Sequence, residues 1–492
     1  MTILPLLGVQ TDAGLQGSRK EPQYRRLVLA SYLADQYQLG PFGSAVLANS
    51  VETRFNGPED AEDTDCTQDS NAVQTRVVAM EFGTSAAEAA ERIIREEPDL
   101  LGLSLYVWNY VPTMALIEEL HAQGPDFPII IGGPHVSRDD HQLQRLVQEG
   151  KIATCVSGEG EAALAQLMTL RPQELPEFLE GQPAGFTSRR SPYITQEVMR
   201  TELRRTRTAI VEGARGCPFS CTFCDQGWRK ARLASFDELT DELRRLYELG
   251  ARHFIFLDPT FNFDRARMHH LLDFLRDELP GSTFSAELKV DMLRPDDVKA
   301  LTGVCSFVEA GLQTIHIETQ KLIKRREKVD IVLENCNQLI AAGVQVAVNT
   351  IYGLPGETFD EWLQTIDKCY TGTTAEITSA CLKVLPNTEI WNRRESFGYT
   401  WDPDQMFRAL RSSAMTTEEF DRAARLSRLL DGIQRNGEGV ISPARSYIDQ
   451  NNLSLSDFLI GLESETIALV QRRDADGRAL ISFAAAQREP VG

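Results

Sequence analysis

Two successive runs of alternating strand-like and helix-like segments constrain the fold of this chain more than any other feature. In the first run, short apolar segments predict strands, and amphipathic segments between them predict helices. The predicted strands are Ile3–Leu7, Thr75–Met80, Leu100–Val107, Phe127–Ile131 and Ala153–Ser157. The predicted helices are Glu21–Gln38, Ser85–Glu96, Pro112–Gln123, Asp140–Glu149 and Glu161–Leu170. Residues 1–170 are therefore expected to form an α/β domain with a buried, Rossmann-like doubly wound parallel sheet. The polar stretch Gly40–Asn71 is expected to be a surface excursion.

The second run is more regular and predicts a partial (β/α)6 barrel of the TIM type over residues 208–400, short of the eight units of a closed barrel. Its predicted strands are Thr208–Glu212, His253–Leu257, Thr283–Leu288, Ser306–Glu309, Gln345–Ile351 and Glu376–Leu385. Ser235 and Glu238 have the spacing of a capping box at the start of one intervening helix. Residues 171–207, rich in proline and weakly periodic, are expected to connect the two domains.

Residues 401–492 are expected to form a small, mostly helical region that shapes the substrate site. Thr417–Leu430 and Asp457–Leu462 are the predicted helices of this region, and Thr466–Val470 is expected to pair with Ala479–Phe483 in a final hairpin.

The charge and hydropathy of the chain disfavour two classes of partner. Fifty-one basic residues against 71 acidic residues give a net charge of −20, whereas binding to nucleic acid requires clustered Lys and Arg. No apolar run approaches the roughly 20 residues that cross a bilayer. The start of the sequence carries no basic leader, so a cytoplasmic location is expected.

Three of the nine cysteines fall in one short motif, directly after the first strand of the predicted barrel. Cys217, Cys221 and Cys224 have the spacing C-x-x-x-C-x-x-C, which brings three thiolates together on one loop. Thiolates suit iron–sulfur clusters and zinc. Three ligands leave one iron of a four-iron cluster open, and S-adenosylmethionine (SAM) can bind that iron through its amino and carboxylate groups. A structural zinc site is the alternative, but zinc sites usually show a second paired half-site, and none is visible in the sequence.

The motif and the predicted barrel resemble the radical SAM superfamily, from about Thr208 to Asn392. The resemblance implies that Cys217, Cys221 and Cys224 bind a 4Fe-4S cluster. It also implies SAM contacts by residues at or near strand ends and the cysteine loop, namely Phe223, Asp258, Glu287, Gln313, Gly353 and Leu385. Asp258 could instead cap the following helix, and Glu287 could be an ion-pair partner. At Asn387 related enzymes usually have Gly, and Asn is the residue that best replaces Gly in left-handed backbone.

Three segments of the first domain follow successive predicted strands, where parallel sheets bind ligands. Two of them carry glycines that allow close approach of a flat ligand. Together the segments resemble the cobalamin-binding domain found ahead of radical SAM barrels. The resemblance implies cobalamin contacts by Ser104, Tyr106, Trp108, Gly132, Gly133, Pro134, His135, Gly158, Glu159 and Gly160.

The axial histidine motif Asp-x-His-x-x-Gly is missing from its usual place. Its nearest match begins at Asp139 and includes His141, but lacks the Gly. We therefore expect base-off cobalamin without a histidine on cobalt, and we do not expect His135 to be a ligand. Trp108 or Tyr106 could cover the lower corrin face or pack in the core.

The resemblance implies a cobalamin-dependent radical SAM methyltransferase. Such an enzyme transfers a methyl group from methylcobalamin to an unactivated, usually carbon, centre after a 5′-deoxyadenosyl radical has taken a hydrogen atom. The expected partners are a small-molecule or peptide substrate of secondary metabolism and an external electron donor of the flavodoxin or ferredoxin type. No catalytic side chain is predicted.

Three alternative functions make different demands on the sequence. Rearrangement, cyclisation or ring contraction with the same cofactors stays open. A non-catalytic iron–sulfur redox protein would require a fourth ligand. A tRNA methylthiotransferase would require a second upstream cysteine triplet, and only Cys66 and Cys155 precede the motif.

Overall fold

The structure, a computed structural model, describes residues 21–34, 40–56, 72–124, 126–186, 191–227, 229–473 and 479–485. The predicted strand Ile3–Leu7 lies outside these residues. The chain divides into two compact units. The first comprises Met1–Arg215, Ala231–Ile255 and Leu385–Asn387, and the second comprises Gly216–Lys230, Phe256–Val384 and Thr388–Gly492.

The first sheet is parallel, which confirms the expected α/β architecture of the amino-terminal region. Its described strands are β1 (Arg26–Tyr32), β2 (Gln74–Met80), β3 (Leu100–Ser104), β4 (Ile129–Gly132), β5 (Thr154–Gly158) and β6 (Phe178–Gly181), in the order β2-β1-β3-β4-β5-β6. The helices of this region are α1 (Phe42–Asn56), α2 (Ala86–Arg95), α3 (Tyr110–Ala122), α4 (His141–Gln148) and α5 (Gly160–Leu167). The carboxyl ends of β3, β4 and β5 are thus neighbours, because these three strands are adjacent in the sheet.

One predicted element is wrong in type. The helix predicted over Glu21–Gln38 is replaced by β1, whose residues from Leu27 to Tyr32 are all buried. A strand that is covered on both faces has a continuous apolar run, and such a run cannot be told from part of a buried helix by periodicity. β1 pairs with β2 on one side and β3 on the other, so it lies inside the sheet.

The stretch Gly40–Asn71, predicted as a surface excursion, contains the packed helix α1 in its described part. The buried residues of α1 are mostly small, including Ala45, Ala48 and Val51. Ala48 and Val51 join a hydrophobic cluster with Leu27, Leu29 and Leu164. Because α1 buries small residues, its sequence lacks the stripe of large apolar residues that usually indicates an amphipathic helix.

The stretch predicted as a connector contains β6 and two helices, α6 (Pro192–Thr195) and α7 (Glu197–Thr206). β6 pairs in parallel with β5 and so belongs to the first sheet. The domain boundaries proposed from the sequence stay a prediction.

The second sheet has the strand order expected of a partial barrel. Its described strands are β7 (Thr208–Val211), β10 (His253–Phe256), β11 (Thr283–Leu288), β12 (Cys305–Gln313), β13 (Gln345–Tyr352) and β14 (Glu376–Cys381), in the order β14-β13-β12-β11-β10-β7. A two-residue ladder, β8 (Ala214–Arg215) with β9 (Arg232–Leu233), follows β7. The associated helices are α8 (Phe236–Glu248), α9 (Arg265–Glu278), α10 (Pro295–Leu301), α11 (Ile317–Leu322), α12 (Val329–Ala341), α13 (Phe359–Gly372) and α14 (Glu389–Arg393). The capping box of Ser235 and Glu238 at α8 is confirmed.

The carboxy-terminal region is largely helical, as expected. It contains the ladder β15 (Thr400–Asp402) with β16 (Arg408–Arg411), then α15 (Thr417–Arg435), α16 (Glu438–Asn451), α17 (Leu455–Glu463), and a hairpin of β17 (Ile467–Arg473) with β18 (Ala479–Ala485). The hairpin confirms the predicted pairing. Helix α16 was missed, and its internal Pro443 is a residue that normally argues against a helix interior. Across the described residues, no helix has both the length and the apolar character required to span a bilayer.

Candidate functional site

The cysteine loop, residues 216–230, is held by its own backbone. The Cys217 N–H donates to Arg229 O (3.2 Å), and the Cys224 N–H donates to Cys221 O (3.2 Å). Gly216 has a φ of +72°, and a Cβ there would lie 2.6 Å from Lys230 O. The chain therefore requires glycine where the loop closes, and the three cysteines are presented on a folded loop.

Two side chains from distant parts of the sequence contact the thiols. A guanidinium nitrogen of Arg325, Nη1, lies 3.7 Å from Cys221 Sγ, and Thr260 Oγ1 lies 3.6 Å from Cys217 Sγ. Burial, with smaller contributions from Asp225 and the other two cysteines, raises the pKa of the Cys224 thiol to about 12. Cluster binding would remove this cost, because the metal stabilises the thiolate.

The loop is not arranged as a site for one metal ion. Thiolates that bind a single zinc ion at about 2.3 Å must converge to within roughly 4 Å of each other. Among the described residues, no group of three or more His, Cys, Asp or Glu side chains is placed to hold one ion.

Asp258 is buried after the end of β10. The sequence left two roles open for it, a contact with SAM or the cap of the following helix. The helix that follows, α9, is capped by Asp264, whose side chain accepts from the Arg267 N–H. Asp258 is therefore not the cap. Burial lowers the pKa of the Arg267 guanidinium, and the nearby Asp258 carboxylate offsets part of this effect. Its contact with SAM stays a prediction.

A polar row lines one face of strands β11 to β14. Glu287 on β11 pairs in register with Glu309 on β12. Asn349 Nδ2 donates to Glu309 Oε2 (3.2 Å), and Thr378 Oγ1 donates to Asn349 Oδ1 (2.6 Å). Desolvation by the surrounding protein and the neighbouring Glu309 raise the pKa of Glu287 to about 7, against the effect of Arg325. In the part of the chain described, no hydrogen bond or ion pair engages the Glu287 carboxylate, which does not support the ion-pair reading.

The remaining residues assigned to SAM have mixed environments. Gln313, at the end of β12, has a φ of +69°, and its Oε1 is buried without a hydrogen-bond partner among the described residues. Phe223 and Leu385 are half-buried. A Cβ at Gly353 would lie 2.3 Å from the Phe420 ring, so glycine is required there by packing. Asn387 has a φ of +66°, as its sequence predicts.

The glycines of the first sheet are required by neighbouring backbone. Gly133 has a φ of +124°, and a Cβ there would lie 2.4 Å from Leu105 O. Gly158 has a φ of +83°, and a Cβ there would lie 2.6 Å from Gly181 O. Gly132 differs, because its Cβ would make an ordinary contact of 3.7 Å with the Val156 Cβ. Of these three glycines, only Gly132, the last residue of β4, can therefore be substituted without a backbone clash.

The end of β3 carries an aromatic pair. Tyr106 and Trp108 stack with ring centroids 4.3 Å apart and planes 13° apart. The Asn109 side chain accepts from the Tyr106 N–H (2.7 Å) and donates to Ser104 O (2.9 Å). Trp108 Nε1 is buried without a hydrogen-bond partner among the described residues. A buried donor left unpaired costs about 1–3 kcal/mol, so this atom suits a ligand with an acceptor.

Two histidines of this region lie in different environments, and the expectation that neither binds cobalt stays a prediction. His135 is buried, and its ring packs edge-on against Tyr110 at 5.3 Å. His141 lies at the start of α4, where Nδ1 is 3.3 Å from Gln144 Oε1 in an exposed position. Pro134 is exposed. Glu159 precedes Gly160 at the start of α5, and both oxygens of its side chain are bonded to arginines.

Comparisons with known proteins agree with this geometry. Residues 36–168 match the B12 binding domain family, and residues 211–369 match the Radical SAM superfamily. The chain therefore belongs to the proteins that carry a B12-binding domain ahead of a radical SAM domain. The first domain implies cobalamin, and the second implies a 4Fe-4S cluster and SAM.

Two curated relatives are methyltransferases by name. The uncharacterized methyltransferase sll1242 of Synechocystis sp. is 29% identical over 299 residues, 54% of this chain and 55% of the relative. The cobalamin-dependent radical SAM methyltransferase TokK of Streptomyces tokunonensis is 25% identical over 365 residues, 65% of this chain and 52% of TokK. The chain thus spans about half the length of these relatives.

A solved structure shares the fold. The cobalamin-dependent S-adenosylmethionine radical enzyme OxsB, with aqua-cobalamin bound, aligns with a TM-score of 0.59 and 14% identity, over 91% of this chain and 71% of OxsB. Sequence reasoning missed Arg325 and Thr260, which contact the cysteines. Arg325 is 104 residues from Cys221, and no local motif links residues so far apart.

Proposed function

We propose that this chain is a cobalamin-dependent radical SAM methyltransferase acting on a small molecule or a peptide. The observation that carries the proposal is the presence of two features in one chain. A folded loop presents three cysteines with the spacing C-x-x-x-C-x-x-C inside the residues that match the Radical SAM superfamily, and a match to the B12 binding domain precedes it. The names of the relatives sll1242 and TokK support methyl transfer as the outcome.

In the proposed enzyme, the residues of the cysteine loop hold the cluster and modulate it. Cys217, Cys221 and Cys224 would hold the cluster through their thiolates, and a four-iron cluster held by three thiolates would leave one iron open to SAM. Arg325 donates toward Cys221 Sγ and also to Gly311 O (2.6 Å). A cationic donor near a cluster thiolate stabilises the reduced cluster, because it offsets the added negative charge.

The barrel supplies polar groups for binding and orientation. Gln313 Oε1 is a buried acceptor without a partner in the described residues, so it can accept from a ligand hydroxyl or amine. Glu287, with its raised pKa, can be present in either protonation state near neutral pH. When bound, SAM and the cluster supply a 5′-deoxyadenosyl radical that takes a substrate hydrogen atom, and cobalamin supplies the methyl group.

We also propose that the chain acts in the cytoplasm with an external flavodoxin- or ferredoxin-type electron donor. The three cysteines must be kept as thiols until the cluster is assembled, which favours a reducing compartment.

The experiment uses SAM carrying a deuterated methyl group. Reconstituted, reduced protein with hydroxocobalamin is incubated with this SAM, and the cobalamin, S-adenosylhomocysteine and 5′-deoxyadenosine are analysed by mass spectrometry. We expect deuterated methyl on cobalamin and formation of S-adenosylhomocysteine. Formation of 5′-deoxyadenosine without any methyl transfer to cobalamin would contradict the proposal and favour rearrangement, cyclisation or ring contraction.

A further inference from the structure

The cysteine loop begins and ends at a very short ladder of two strands. Ala214 pairs with Leu233, and Arg215 pairs with Arg232, in β8 and β9. A ladder this short has little stability of its own. The Arg215 and Arg232 pair makes it weaker, because like charges directly opposite each other on two strands repel. A group that compensates these two charges would therefore stabilise the closure of the loop, in addition to the loop's own backbone hydrogen bonds.

Glu159 supplies this group. Its Oε2 accepts from Arg215 Nη1 (3.0 Å), and its Oε1 accepts from Arg232 Nη2. One carboxylate thus bridges two guanidinium groups that face each other across the ladder. The Glu159 side chain is only 16% exposed and that of Arg215 only 15%. Charge-assisted bonds with little solvent access are stronger than those on the surface.

The surrounding contacts fix the bridge in place. Ala184 donates its N–H to Glu159 Oε2 (2.8 Å), and Arg232 Nη1 donates to Ala184 O. The Phe186 ring lies 5.3 Å from the Arg215 guanidinium carbon and 6.0 Å from that of Arg232. Glu159 is therefore held by a backbone N–H as well as by the two arginines, and the arginines themselves lie near an aromatic ring.

The two arginines depend on Glu159 to different extents. Arg215 is also paired with Glu161 (2.7 Å) and Glu212 (2.8 Å). Among the described residues, Glu159 is the one acidic side chain that forms an ion pair with Arg232. Loss of the Glu159 charge would leave Arg215 paired with Glu161 and Glu212. It would leave Arg232, on β9, without its ion pair to Glu159. Loss of the Glu161 charge would leave the bridge across the ladder intact.

The backbone of Glu159 belongs to the loop assigned to cobalamin. Glu159 lies between Gly158, whose φ is +83°, and Gly160, and it is the residue before the first turn of α5. A Cβ at Gly181 would lie 1.9 Å from Glu159 O, so the strand next to this peptide approaches it as closely as glycine allows. A ligand that contacts residues 158–160 therefore acts on the same peptide whose side chain bridges the cysteine loop.

We propose that Glu159 is a positioning residue that couples cobalamin binding to the environment of the iron–sulfur cluster, by bridging Arg215 and Arg232 at the two ends of the cysteine loop. This inference rests on the proposed function, since it requires that both cofactors bind. The coupling runs through the chain itself, because Arg215 directly precedes the loop and Arg232 closely follows it.

The test is electron paramagnetic resonance (EPR) of the reduced cluster, with SAM present, before and after addition of hydroxocobalamin. The intact protein is compared with Glu159→Gln, Arg232→Gln and the matched control Glu161→Gln. Glu161 is as buried as Glu159, at 14% exposed, and its ion pair is with the same Arg215. Iron content, cobalamin content and the thermal unfolding midpoint are measured for each protein.

We expect cobalamin to shift the cluster signal in the intact protein and in Glu161→Gln. We expect the shift to be lost in Glu159→Gln and Arg232→Gln while both cofactors remain bound. Arg232→Gln keeps the pairing of Glu159 with Arg215, so it separates the bridge from folding defects caused by loss of a buried carboxylate.

Three outcomes would overturn the inference. They are an intact protein whose cluster signal does not respond to bound cobalamin, a full response in Glu159→Gln, and an equal loss of response in Glu161→Gln. An intact protein that binds no cobalamin or no cluster would instead overturn the proposed function, so the two failures are distinguishable.

Discussion

The two parallel sheets of this chain treat the carboxylates near their strand ends differently. After β5, both oxygens of Glu159 are bonded to arginines, and the charge is compensated within the protein. On β11, Glu287 has a second carboxylate, Glu309, as its register neighbour, and its pKa is raised to about 7 by desolvation and by that neighbour. The first arrangement is complete without a ligand, whereas the second gains stability from a ligand that supplies a donor or a positive charge.

The same contrast holds for the other polar groups near these strand ends. Beside β3, Ser104 Oγ bonds Ser44 Oγ (2.9 Å), and Asn109 pairs with nearby backbone. At the end of β12, Gln313 Oε1 is buried without a partner in the described residues. In the first sheet, Trp108 Nε1 after β3 and Tyr32 Oη at the end of β1 are also buried without a partner in the described residues, so this contrast is partial. The barrel retains polar groups that require a bound molecule.

The largest effect is expected at the cysteine loop. We predict that replacing Cys217, Cys221 and Cys224 together with Ala abolishes iron binding and 5′-deoxyadenosine formation. Cobalamin binding should remain, because the loops assigned to it carry their own internal contacts. Iron analysis and cobalamin absorbance after gel filtration measure both. Unchanged iron content would show that this loop does not bind the cluster. Loss of cobalamin binding together with iron would show that the first sheet cannot bind cobalamin without the cysteine loop.

A pair of glycine substitutions tests the rigidity of the first sheet. We predict that Gly158→Ala lowers the free energy of unfolding by about 2–4 kcal/mol, because alanine disfavours positive φ and its Cβ would approach Gly181 O. Gly132→Ala should change this free energy by less than about 1 kcal/mol, because its Cβ makes an ordinary contact. Denaturant unfolding measures both values.

The Gly132 position then allows a test of the ligand that does not damage the fold. Gly132→Leu should weaken cobalamin binding while Gly132→Ala retains it, since the larger side chain would occupy space at the strand end. Equal cobalamin affinity in both variants would show that Gly132 does not line the cobalamin site.

The Glu287 carboxylate should give a smaller, pH-dependent effect. Its pKa in the folded protein, about 7, is above the ordinary value of 4.5. Below about pH 4 the Glu287 carboxyl is protonated in both the folded and the unfolded states, so its raised pKa does not change the free energy of unfolding. As the pH rises toward about 7, the unfolded state ionises first, and the folded state loses relative stability. We therefore predict that Glu287→Gln raises the thermal midpoint at about pH 8 but not at about pH 4.

Glu376→Gln is the matched control for this experiment, because Glu376, like Glu287, is an exposed strand glutamate, but it pairs in register with Ala347 and not with a second carboxylate. It should show no pH-dependent gain. A gain for Glu287→Gln that is equal at both pH values would mean that the gain does not come from the ionised Glu287 carboxylate.

The sequence predicts the fold where patterns are local, and it fails where partners are distant. The barrel strands follow from alternation with helices, and the Ser235–Glu238 capping box follows from spacing alone. The helix predicted over Glu21–Gln38 is wrong, because a doubly covered strand such as β1 does not alternate. The sequence assigns Gly133 and Gly158 to cobalamin, whereas the structure shows that neighbouring backbone requires glycine at both positions, and their contact with cobalamin stays a prediction.

The missed site residues follow the same rule. The contacts of Arg325 with Cys221 and of Glu159 with Arg232 join residues separated by 104 and 73 positions. Pairing of this kind depends on the three-dimensional arrangement of the strands. It has no signature in a single sequence.

The smallest expected effect is at His135, and it tests whether the first sheet supplies a metal ligand. The His135 ring is buried against Tyr110, and turning it outward would expose that packing and require a new conformation of the loop after β4. His141 is on the exposed face at the start of α4, where Asp140 caps the helix. We therefore predict that the cobalt(II) form of bound cobalamin shows no splitting from an axial nitrogen in EPR, and that His141→Ala leaves the spectrum unchanged. An axial nitrogen would split each cobalt line into three. If such splitting were seen, and if His135→Ala or His141→Ala removed it, a histidine would bind cobalt and the first sheet would have to rearrange around its ligand. In that case the first sheet, and not only the barrel sheet, would depend on its ligand to complete its polar contacts.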